Sequence, residues 1–115
     1  MTRRPVSAGF ALALSIASAG VIQAQSDPAR TKVVAMVGLA RTARDQGRAD
    51  AAAAHFREAD RIQPLSGALL VEYFWAARLA GQPDATAIGT RVLAANPRER
   101  NVRDGLVGLL AARGD

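Results

Sequence analysis

Gly47, Gly81 and Gly114 stand 34 and 33 residues apart, and Pro64 and Pro97 keep the same 33-residue beat. Glycine just past a helix accepts the left-handed conformation that ends it, and proline cannot continue one. Punctuation at a fixed period near 34 predicts a two-helix unit used more than once, each copy burying its apolar face against the next. No segment alternates apolar and polar residues with the period of a half-buried strand, so the expected fold is all-α.

The local signals divide the chain into five helices. Asp27-Pro28 makes a helix start, an Asx cap followed by proline at the first helical position, and that helix should run to about residue 46. A second, about 50–62, carries small residues from Ala51 to Ala54 that permit close helix approach, with Phe56 filling the space between helices. Ser66 is expected to cap a third (67–80), Pro83-Asp84 to open a fourth ending near 96, and a fifth should span about 98–112.

Between the glycine and proline marks, residues 33–64 present Met36, Leu39, Ala43, Gly47, Ala52, Phe56, Ala59 and Pro64 in order. This resembles the tetratricopeptide repeat, with Ala40 and Ala43 standing where that family prefers Gly and Tyr. Residues 67–97 repeat the pattern through Leu70, Tyr73, Phe74, Ala77, Gly81, Ala85, Ile88, Val92 and Pro97. They depart from it at Gly89, where an aromatic would lock the second helix onto the first. A further unit begins at Arg100 and supplies only a first helix. The resemblance implies antiparallel helix hairpins in a right-handed superhelical solenoid of about two and a half repeats (33–64, 67–97 and the half repeat 100–115).

Residues 1–24 read as an export signal. Arg3 and Arg4 form a basic start, an apolar run extends from Val6 to Ile22, and Ala24 precedes the polar Gln25-Ser26-Asp27, so cleavage after Ala24 is expected, with Ala19 as the alternative. The apolar run, diluted by Ser and Gly, falls short of a typical span of ~20 strongly apolar residues, which favours a cleaved signal over an anchor. Membrane contact is then expected only through the signal before cleavage, and the exported remainder (25–115) forms the helical domain. The chain has no cysteine, so no disulfide supports it and helix packing must. Without Arg3 and Arg4 the balance is 13 basic against 10 acidic residues, too small an excess to indicate nucleic acid. Val102, Leu106, Val107, Leu109 and Leu110 give the last helix a broad apolar surface, expected either to continue into a missing second helix or to support self-association.

In the resembled family the first helix of each hairpin lines a concave groove for peptides. Carried over by repeat position, the groove candidates are Val34, Val37, Arg41 and Arg44, then Val71, Trp75 and Arg78, continued by Asn101, Asp104 and Gly108. Arginines beside an aromatic suit an acidic peptide or polyanion through forked hydrogen bonds and stacking. The competing expectation is that Trp75 is buried between hairpins and the arginines form a solvated edge. A carboxylate-clamp subgroup of that family uses Lys and Asn at groove positions held here by Val37 and Arg41, so a chaperone-tail function is not expected.

His55 is the single histidine and lacks further ligands at metal-binding spacing, and neither a phosphate-binding glycine loop nor a nucleophile with a base is apparent. Arg113-Gly114-Asp115 spells an adhesion-type tripeptide, but its glycine already fits a helix-ending turn. The expectation is a non-enzymatic, cofactor-free scaffold, periplasmic or secreted, that binds a protein or peptide. A narrower form is the repeat region of an outer-membrane exopolysaccharide secretion protein, and the alternative is an accessory part of a cell-envelope enzyme complex.

Overall fold

The computed structural model describes residues 27–114, and these contain five helices and no strand: α1 (Pro28–Asp45), α2 (Ala49–Ile62), α3 (Gly67–Leu79), α4 (Ala85–Ala95) and α5 (Arg100–Ala112). The all-α expectation holds for these residues. The export signal with its Ala24 site, and Asp115, lie outside them.

Helix ends follow the periodic punctuation. Asp27 Oδ1 accepts a hydrogen bond from the Arg30 amide at 3.0 Å, with Pro28 as first helical residue. Gly47 and Gly81 have φ of +73° and +68°, and each closes the same double bond pattern. Arg48 N–H reaches back to Ala43 O and Gly47 N–H to Arg44 O, just as Gln82 reaches Ala77 O and Gly81 reaches Arg78 O. Gly114, at φ +77°, donates to Ala111 O in the same manner. The even helices stop differently. Gln63 and Asn96, each preceding a proline, both have φ −143°, with ψ of 125° and 88°, and so leave the helical region, because the proline ring disfavours helical backbone in the residue before it.

One cap differs from expectation, and Asp84 opens α4 as expected. Ser66 stands at the start of α3 without a side-chain cap bond, and the turn is held by the Asp60 carboxylate, which accepts from Leu65 N–H at 2.8 Å. Asp84 stands at the start of α4, also without a cap bond. Its Oδ2 accepts from the Tyr73 hydroxyl at 3.3 Å and lies 3.5 Å from Arg57 Nε.

Among the described residues the packed unit covers 32–114. Its core runs through every helix: Val37, Ala40 and Ala43 of α1; Ala52, Ala53, Phe56 and Ala59 of α2; Leu70, Tyr73, Phe74 and Ala77 of α3; Ile88 and Val92 of α4; Val102 of α5. Phe56, Phe74 and Val102 are fully buried, and complete burial of such side chains stabilises by about 1.5–3 kcal/mol each. The alanine-rich start of α2 places Ala52 and Ala53 in the core at 0% exposure. Leu39, part of the repeat pattern, is instead 47% exposed.

Helices α2 through α5 pack in sequence order, and further bonds skip one helix. Arg41 and Arg44 of α1 meet Glu72 of α3; Asp60 of α2 meets Arg91 of α4; Arg78 of α3 meets the Gly105 carbonyl of α5. The aromatic missing at Gly89 is replaced by one from the facing helix, Phe74 of α3. An added Cβ there would lie 2.7 Å from Phe74 Cε1, and one at Gly105 would lie 3.0 Å from Trp75 Cη2 and 3.1 Å from Phe74 Cε2. Helices α4 and α5 thus close directly on the Phe74–Trp75 pair, whose rings meet edge to face at 5.1 Å.

Candidate interaction surface

The sequence places its groove candidates on α1, α3 and α5, and the structure distributes them unevenly. Val37 is in the core at 6% exposure, so its side chain does not face a ligand. Its α1 neighbour Val34 is 67% exposed. Val71 is half-buried and lines a different depression, formed where α3 begins and α4 ends, together with Leu65, Arg91 and Asn96.

Arg41 and Arg44 share a helix face, and both are engaged. Arg41 grips Glu72 with two parallel bonds, Nε to Oε1 at 3.0 Å and Nη2 to Oε2 at 2.8 Å. Arg44 adds Nη1 to Oε1 at 2.9 Å and turns its other edge to Asp45 Oδ1 at 3.3–3.4 Å. The Arg41 hydrogen bonds hold the Glu72 carboxyl below its ordinary range, against the opposing effect of partial burial. Two guanidinium groups and two carboxylates form a neutral cluster between α1 and α3, rather than the open basic edge that the sequence suggested.

Trp75 is half-buried between two depressions. On the α5 side, Arg78, Asn101, Asp104 and Gly105 surround a volume of about 410 Å³ with the indole. Arg78 lies with its Cζ 5.6 Å from the indole centroid, and its Nε donates to Gly105 O at 3.3 Å. An added Cβ at Gly108 would lie 3.3 Å from Arg78 Nη2, so Gly108 leaves room for this guanidinium. On the other side, Ala49, Ala52, Ala76 and Leu79 line a cavity of about 260 Å³, with Gly47 and Arg44 at its rim. The structure therefore gathers Arg44, Arg78, Asn101 and Asp104 around the Trp75 indole, sets Gly108 against Arg78, and leaves Val37 and Val71 out.

Sequence reasoning missed Glu72 and Leu79. A signal for the first was present: Arg41 precedes Glu72 by 31 residues, and Asp60 precedes Arg91 by the same 31. That is the period of about 34 less most of a helical turn, and it brings the two partners together across alternate helices, α1 with α3 and α2 with α4. Leu79 is 69% exposed beside the apolar cavity.

The remaining polar clusters fasten elements together. Arg91 binds Asp60 through two bonds of 2.9 Å, which lowers the Asp60 pKa, and Asp60 in turn holds the 63–66 turn. Burial, reinforced by the Asp84 charge, pushes the Tyr73 hydroxyl pKa up. Arg57 joins this group through Gln82 Oε1 at 2.8 Å. His55 is half-buried on α2. Among the described residues no group of three or more His, Cys, Asp or Glu is placed to hold a metal, and no helix is long and apolar enough to cross a membrane. No known protein family, curated protein or solved structure matches this chain.

Proposed function

We propose that the chain is a tetratricopeptide-like interaction module, exported after removal of residues 1–24, which binds a protein or peptide along the exposed sides of α1, α3 and α5 and performs no catalysis itself. The observation that carries this is Trp75, a large aromatic left half-buried between two depressions on one face. A side chain of this kind at the centre of a surface is a strong anchor for a partner. The repeat arrangement is supported by the matching turns at Gly47 and Gly81 and by the bonds that skip one helix, which are the contacts stacked hairpins make. Export rests on the leader alone, and a place in exopolysaccharide secretion is a narrower form of the same proposal.

Site-specific photo-crosslinking in a bacterial host tests it. A crosslinker at the exposed Leu79 or Asp104 should capture a discrete envelope partner, whereas one at Ala54 of α2 or Thr90 of α4, also exposed, should not. The captured chain should begin at Gln25. Equal capture from both sets of positions, or from the even helices alone, would remove the assignment of this face.

A further inference from the structure

The cavity beside Trp75 carries a sharper statement about what is bound, resting on the reading that this face takes a peptide. Its walls are Ala49, Ala52, Ala76, Leu79 and one side of the indole, and its single charged neighbour is Arg44. That guanidinium has one edge on Glu72 and the other on Asp45. A carboxylate arriving here would meet a cation already neutralised, with two carboxylates beside it to repel it. Nothing at the rim rewards an acidic group, while the apolar walls reward any group that leaves water.

The geometry points to an uncharged apolar side chain, of the size of leucine or methionine, on an extended peptide as the group this cavity takes. A volume of about 260 Å³ accommodates one such side chain. Across the indole, Arg78, Asn101 and Asp104 supply donors and acceptors. An extended backbone has both kinds of group to satisfy as it passes, which an isolated lipid tail does not. The Arg41–Glu72–Arg44 cluster then acts as a fastener between α1 and α3 that shapes the cavity, and recognition depends on shape and apolar burial more than on charge.

The test uses the full chain as purified, screened against a random peptide display library, with affinities read from the fluorescence of Trp75, the single tryptophan. Enriched peptides should share an apolar position, and raising salt from about 0.05 to 0.5 M, which collapses the Debye length, should change their Kd less than about twofold. Ala49→Leu, which fills the cavity mouth, and Leu79→Ser, which strips one wall, should each weaken binding about tenfold, equivalent to 1.4 kcal/mol. Leu79 is 69% exposed, so the second variant keeps the fold even where the first does not. Acid-rich peptides whose binding falls steeply with salt and ignores Leu79→Ser would overturn the apolar anchor while leaving the interaction module standing. An absence of any enriched peptide would overturn both. A dimer of the full chain that Leu79→Ser dissociates would make a second copy the occupant and overturn the peptide assignment.

Discussion

Gly89 illustrates how a residue that looks like a defect in a repeat can be required by its neighbours. Helix propensity alone favours alanine over glycine by about 1 kcal/mol in a helix interior. In this structure the missing side chain is the space occupied by Phe74, which is fully buried and bounded on its other side by Gly105. The ring is fully buried, so it can make room only by displacing its neighbours. Gly89→Ala should therefore destabilise the protein by about 1–3 kcal/mol, the usual range for an overpacked core, despite its better propensity. Denaturant unfolding would measure this, and Phe74→Leu in the same chain should recover part of the loss, since the two changes act on one contact. A stabilised Gly89→Ala protein would show that the Phe74 ring is not confined.

At the scale of the elements, charge pairs at a 31-residue offset hold alternate helices in register. Glu72 joins α1 to α3, and its carboxyl is only 22% exposed, so it is the member of its cluster whose loss matters. Its folded pKa lies below the unfolded value. The stability it contributes is fully present above the unfolded value, about 4.3, and is lost as pH falls through the folded one. Because both arginines are about half exposed, the pair energies are those of surface bridges. Glu72→Gln should lower stability by about 1 kcal/mol at neutral pH. The gap between wild type and variant should narrow as pH falls below the unfolded value and close in acid once the folded carboxylate is protonated as well. Paired denaturation curves at neutral and acid pH check this, and a gap independent of pH would mean that Glu72 acts through packing rather than charge. The ends of these elements were readable without tertiary information, since Gly47, Gly81, Pro64 and Pro97 each act on the backbone of one or two residues. The missing cap at Ser66 was not: its side chain makes no cap bond, and the turn before α3 is held from α2 instead, where the Asp60 carboxylate accepts from the Leu65 amide.

For the molecule as a whole, helices α2 to α5 pack in sequence order and the side-chain bonds that skip one helix span 27–31 residues, so each helix depends on its neighbours in sequence and on the helix two away. Stability in such an assembly is approximately a sum of adjacent terms, and damage at one end should remain there. Val102 is the fully buried residue by which α5 enters the core. Val102→Ala should cost roughly 2 kcal/mol. In hydrogen exchange, protection should fall most in α5, less in the contacting α4 and α3, and least in α1 and α2. A uniform loss across all five helices would show that the unit opens only as one.

The sequence by itself determined the helical class, the number of helices among residues 27–114 and where each ends, because those depend on backbone preferences carried by single residues. It also placed Trp75, Arg78, Asn101 and Asp104 near one another, because a period of two helices puts corresponding faces of α3 and α5 side by side. Only the tertiary structure decided that Arg41 and Arg44 are neutralised, that Val37 faces the core, and that Phe74 fills the place left by Gly89. Each of these turns on which side chain from another helix arrives within a few ångströms, a distance that repeat spacing approximates but packing sets.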